Sequence, residues 1–113
     1  MVSLLVPSPK KGEYVMKVYL DDERKCPRGW TKVKTATDAI KLLQNNNVSE
    51  ISLDHDLGID ENGYDVLIWI EKQVFLNNYK TPKIHIHTAN PSARLKMENA
   101  KRSIYRKSKI FNK

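Results

Sequence analysis

Short apolar stretches alternate with helical periodicity along this chain of 113 residues, and that alternation restricts the fold more than any other feature of the sequence. Lys17-Val18-Tyr19-Leu20 is rich in β-forming residues and ends at Asp21-Asp22-Glu23, which a strand interior disfavours. Trp30 to Lys34 reads as a second short strand, after a loop punctuated by Pro27 and Gly29. Thr35 or Thr37 can cap a helix whose Ala36, Ala39, Ile40 and Leu43 recur at i, i+3, i+4 and i+7, and Asn45-Asn46-Asn47 ends it. Ile51-Ser52-Leu53-Asp54 is the third strand, and Asn62 can cap a second helix carrying Val66, Leu67, Ile70 and Val74. Lys83 to His87 is the fourth strand. Asn90-Pro91 then opens a third helix, because proline at the first helical position gives up no needed donor; its apolar stripe is Ala93, Met97, Ala100 and Ile104.

This order predicts an α/β domain: an open, mainly parallel sheet of about four strands with helices packed on it. The first interval is the exception, since the roughly eight residues between the first two strands are too few for a helical crossover. Either a helix is missing there or those strands pair differently. The length allows one domain that buries about two thirds of its unfolded surface. We read residues 1–15 as an extension, 16–104 as the domain and 105–113 as a basic tail.

A hydrophobic share of 40% and a charged share of 29% argue against both disorder and a membrane span. The apolar run Val2 to Val6 is broken by Ser3 and followed by Pro7 and Pro9, which does not make a signal peptide. Cys26 stands alone, which agrees with a reducing compartment, so a cytoplasmic location is expected. All of the net charge of +7 belongs to the segment from Arg94 onward, whose eight basic residues face one acid, Glu98. Residues 94–113 could therefore contact nucleic acid, or simply form a solvated helix face and tail.

Ligands of open α/β sheets bind outside the carboxyl ends of the strands. Asp21 and Asp22 end the first strand, Asp54, His55 and Asp56 the third, and His87, Thr88 and Asn90 the fourth. Carboxylates gathered there call for a counter-charge, most simply Mg²⁺ or Mn²⁺ on Asp21, Asp22, Asp54 and Asp56. The helix start at Asn90, with Thr88, Arg24 and Arg94, suits a phosphate. His87 ranks first and His55 second as proton-transfer groups, while His85 reads as a hydrogen-bonded core residue on the face of His87. Trp30 and Trp69 read as core or interface.

Lys17-Val-Tyr-Leu-Asp-Asp-Glu-Arg24, Ser52-Leu-Asp-His-Asp-Leu-Gly58, Gly63-Tyr-Asp65 and His85-Ile-His-Thr-Ala-Asn-Pro91 resemble the motifs of the cyclic-phosphate-processing receiver domain family. That family is itself similar to response-regulator receivers, so the resemblance implies a receiver-like three-layer sandwich, from which this chain departs in that the first helix is missing and no fifth apolar strand ending in a lysine follows the last helix. It also implies Mg²⁺ or Mn²⁺ around Asp21, Asp22 and Asp54, with Thr88 at the place of the hydroxyl residue ending the fourth receiver strand. The implied activity is metal-dependent hydrolysis of a cyclic phosphate on a nucleotide or an RNA end. His55, Asp56 and His87 are polar groups that phosphoacceptance alone does not require. The alternatives are a non-catalytic receiver taking phosphate on Asp54, and a nucleic-acid adaptor working through the basic C-terminal segment.

Overall fold

The computed structural model describes residues 15–55 and 62–111, with side chains through residue 109. Strands β1 (Met16–Leu20), β2 (Thr31–Val33), β3 (Val48–Leu53) and β4 (Lys83–Ile86) form one sheet in the order β2-β1-β3-β4, and every neighbouring pair is parallel. Helices α1 (Ala36–Gln44), α2 (Gly63–Asn77) and α3 (Pro91–Phe111) lie between and after the strands. This is the parallel α/β arrangement expected from the alternation, and the receiver-like fold that the resemblance implied.

The helix boundaries follow their capping chemistry. Thr35 accepts a hydrogen bond from the Asp38 amide at the start of α1. Asn62 opens α2 in a reciprocal capping box with Asp65, and Asn90 accepts from the Ala93 amide at 3.1 Å just before Pro91. Asn78 ends α2 in the left-handed region at φ 52°, a conformation asparagine tolerates better than most residues. Tyr79 then donates from its hydroxyl to the Leu43 carbonyl at 2.8 Å, and burial pushes its pKa up to about 12.

Period-2 alternation sends Val18, Leu20, Ile51, Leu53, Ile84 and Ile86 to one face, where a single apolar cluster also takes Ala39, Leu43, Leu67, Ile70, Met97 and Ile104 from the three helices. All three helices therefore share one side of the sheet. The chain passes from β1 to β2 in one direction across the sheet and from β2 to β3 to β4 in the other. Right-handed crossovers then put a β1–β2 helix on the opposite side. Residues 21–30 hold no helix, and β1 and β2 still pair in parallel. This answers the question left open by the short first interval. Among the described residues the sandwich thus lacks its layer on the second face.

The C-terminal segment differs from expectation. Residues 105–111, read as a tail, continue α3. The Tyr105 hydroxyl accepts from the Ile84 amide at 2.7 Å and Ser108 bonds Thr81 at 2.6 Å, which fastens the last turns to the start of β4. Glu71 on α2 accepts from Ser103 at 2.9 Å and Lys107 at 2.7 Å, joining α2 to α3.

The Lys107 hydrogen bond holds the Glu71 carboxyl below its ordinary value, against the opposing effect of burial. A depressed folded-state pKa contributes stability that is present above the ordinary value of 4.5 and is lost as pH falls through the folded value. Glu71→Gln should lower the melting temperature by a few degrees at pH 7. Thermal melts at falling pH should show wild type and variant converging below pH 4.5, and a constant gap would contradict the assignment.

Candidate functional site

The register that buries Leu20, Leu53 and Ile86 also aligns the residues after them. Asp54 N donates to the Leu20 carbonyl at 3.0 Å and His87 N to the Leu53 carbonyl at 3.0 Å, so Asp21, Asp54 and His87 form the next row, on the opposite face. One ligand atom from each of these three lies within 4.8 Å of the others. The row falls at the carboxyl ends of β1, β3 and β4, beside the point between β1 and β3 where the chain reverses its direction across the sheet.

Asp21 is only 1% exposed. Its Oδ1 accepts from the Glu23 and Arg24 amides, each at 2.8 Å, and its Oδ2 faces His87 Nε2 at 3.0 Å. Burial raises its pKa, but the two amides and His87 outweigh burial and hold it below the usual carboxylate range. For His87, burial, joined by the nearby Arg24 cation, lowers the pKa against the raising effect of Asp21 and Asp54, and the net shift is downward. The ring is therefore neutral at pH 7. An ionised carboxylate only accepts, so the ring proton sits on Nε2, and the Ser52 hydroxyl donates to Nδ1 at 2.7 Å. Tyr19 stacks on the imidazole with centroids 4.4 Å apart and planes 3° from parallel.

Ser52 and Tyr19 were not singled out from the sequence. Each stands two residues before a site aspartate on the same strand, Ser52 before Asp54 and Tyr19 before Asp21, and alternation puts each on that aspartate's face.

The remaining candidates are distributed around this row. Arg24 donates from Nη1 to the His87 carbonyl at 3.0 Å, and its Nε lies 3.9 Å from Asp21. His55 follows Asp54 directly, and its amide donates to Asp54 Oδ1 at 2.8 Å. Asp22 lies outside the three-residue group, and Asp56 falls outside the described residues. Thr88 is 1% exposed and its hydroxyl accepts from the Asn90 amide, while Arg94 donates to the Thr88 carbonyl at 3.0 Å. Thr88, Asn90 and Arg94 thus shape the β4–α3 turn. His85 is hydrogen-bonded, to Glu50 at 2.8 Å, but its side chain is 39% exposed and so is not core. On α3, Lys101 pairs with Glu98, Lys107 with Glu71, and Lys96 lies 4.0 Å from the Tyr64 ring centroid.

Two carboxylates and one imidazole suit a divalent cation, with Mn²⁺ better matched than Mg²⁺ to a nitrogen donor. Three protein ligands also leave coordination positions for water and substrate oxygen. A neutral His87 and an ionised Asp21 are the protonation states such binding requires.

No described helix is long and apolar enough to cross a membrane. Neither the curated proteins nor the solved structures include a match to this chain. The family model described as the cyclic-phosphate processing receiver domain matches residues 16–103, which span the sheet, all three helices as far as Ser103, and the row of Asp21, Asp54 and His87. The chain belongs to that family.

Proposed function

We propose that this domain hydrolyses cyclic phosphodiesters of nucleotides or RNA ends with the help of Mg²⁺ or Mn²⁺. The observation that carries the reading is the convergence of Asp21, Asp54 and His87, with donor atoms within 4.8 Å, at the carboxyl edge of the sheet. The family supports the substrate class, being named for cyclic-phosphate processing.

A bound divalent cation would polarise a phosphoryl oxygen and lower the pKa of a water. Asp21, Asp54 and His87 are the residues that would hold it, with Asp22 and Asp56 beside them in sequence. Ser52 suits either state of His87: it donates to bare Nδ1 in the structure described, and accepts from Nδ1–H once Nε2 is engaged as a ligand. Arg24, whose side chain is 51% exposed, presents guanidinium hydrogens to a phosphate at the same edge. In the reaction a water oxygen bonds to phosphorus, one ring P–O bond breaks, the water gives up a proton and the departing ribose oxygen gains one. His55, adjacent to Asp54, carries that proton traffic, and His87, sequestered between Asp21 and Ser52, serves the cation rather than the proton.

Calorimetric titration with Mn²⁺ should find Asp21→Asn, Asp54→Asn and His87→Ala each weakened by on the order of tenfold or more. Asp22→Asn should stay near wild type. Unchanged binding by an Asp21→Asn, Asp54→Asn double variant would remove the metal site.

In a metal-supplemented assay against cyclic nucleotides and RNA ending in a cyclic phosphate, turnover should vanish with EDTA. His55→Ala should fall by on the order of a hundredfold with Mn²⁺ affinity retained. No turnover of any of these substrates by the metal-loaded wild type would sink the hydrolytic reading. Labelling of Asp54 by a phosphodonor, indifferent to His55 and His87, would replace it with the non-catalytic receiver.

A further inference from the structure

Parallel sheets are ordinarily covered on both faces, yet the described helices here cover one. The other face is built from two rows below the site. Lys32, Tyr19, Ser52 and His85 are register partners across β2, β1, β3 and β4, and Lys17, Glu50 and Lys83 are partners beneath them. Trp30 reaches over this face. Its ring centroid lies 6.3 Å from Tyr19 at 78° and 6.0 Å from His85 at 69°, and Tyr19 in turn stacks on His87. A connected set of rings therefore leads from the Asp21–Asp54–His87 row toward solvent.

Trp30 is held there by the backbone of its loop. Its amide donates to the Pro27 carbonyl at 3.2 Å across a turn that puts Gly29 at φ +87°, a conformation that strains any residue with a side chain, and Cys26 Sγ donates to the Trp30 carbonyl. The indole is only half-buried, unlike a core tryptophan. His85 is pinned at one edge by Glu50 and remains 39% exposed.

The charges around these rings favour one kind of occupant. Lys17, Lys32, Lys83 and Arg24 border the face, and Glu50, the one acid of these two described rows, is already paired with Lys17 at 3.6 Å and with His85. A half-buried indole and a partly exposed imidazole among lysines, on a sheet face that no described helix covers, match the bases and phosphates of a single strand. An apolar peptide would have to desolvate those lysines without compensation.

We infer that Trp30 and His85 form a base-binding subsite, so that the cyclic phosphate processed at the neighbouring row is the end of a single-stranded RNA whose last bases lie along this sheet face. This deepens the proposed function and rests on it for the nature of the terminal phosphate. The lysine border favours an RNA end over a mononucleotide, because it offers cations to phosphates beyond the terminal one.

The chain has two tryptophans, so a Trp69→Phe background makes Trp30 the sole indole reporter. That protein is titrated, with EDTA present to prevent turnover, with a short RNA bearing a terminal cyclic phosphate and, separately, with a cyclic mononucleotide. The RNA should quench Trp30 emission and bind more tightly than the mononucleotide. In the full chain, Trp30→Ala should weaken RNA affinity by about tenfold, measured by anisotropy of labelled RNA, and Trp30→Phe should restore most of it. Lys83→Ala should flatten the salt dependence. Unchanged Trp30 emission at saturating RNA, wild-type affinity in Trp30→Ala, or emission that varies with protein concentration alone, as a second copy on this face would cause, each overturns the subsite. RNA binding through Trp30 without any cyclic-phosphate opening would end the hydrolytic reading and leave the base subsite standing. Equal opening of a base-free cyclic phosphate with Trp30 silent would do the reverse.

Discussion

The ionised, buried carboxylate of Asp21 is the constraint around which the site edge is organised. A charge only 1% exposed is costly unless every lone pair is matched, and Asp21 meets the demand with two backbone amides and one imidazole N–H. Those partners lie in separate parts of the chain. The amides of Glu23 and Arg24 curl the chain leaving β1, and His87 comes from the end of β4, 66 residues away. Arg24 closes the arrangement by donating to the His87 carbonyl. Satisfying one carboxylate therefore fixes the exit of β1, the end of β4 and the imidazole between them. These contacts keep Asp21 anionic, while burial keeps His87 neutral against the pull of Asp21, and those are the states a cation would need.

The missing helix after β1 gives the domain its division of labour. One face of the sheet and three helices make the apolar core, while the other face is free to carry Lys17, Tyr19, Ser52, Glu50, His85 and His87. Had a crossover helix packed there, alternate residues on both faces would have to be apolar, as in parallel sheets generally. The strand Lys17-Val18-Tyr19-Leu20-Asp21 instead reads polar or amphipathic at odd positions and apolar at even ones. The site is thus continuous with a polar and aromatic sheet face that no described helix covers.

Much of this was legible because the signals are local. Asn62 with Asp65, and Asn90 with Pro91, announce helix starts through interactions within four residues. The apolar stripes of α1, α2 and α3 return as the core cluster, and the acidic strand ends meet because parallel register aligns them. The rest depends on partners distant in sequence. Nothing near residues 105–111 shows that Tyr105 and Ser108 will find β4 and the residues before it, which keeps the last turns of α3 docked. Period 2 places His85 and His87 on one side, but it does not say that the side lacks a helix, so a half-exposed His85 reads as core. Ser52 is inconspicuous for a related reason: a small hydroxyl in a strand gains meaning only from the imidazole delivered by β4 at 2.7 Å.

The site and the core also meet at Gly63, the first residue of α2. A Cβ added there would overlap the Asp54 backbone carbonyl and crowd the Met97 methyl, so only glycine lets α2 begin this close to the end of β3. The approach matters on both sides. It brings the positive end of α2 toward the chain at Asp54, in the row that would carry a cation, and it sets Gly63 against Met97, which is fully buried in the core. The Asn62–Asp65 capping box holds that helix start in place. Asp54 therefore takes its position from β-sheet register on one side and from a glycine-permitted helix contact on the other, and the candidate metal row inherits its rigidity from the packing of α2 and α3.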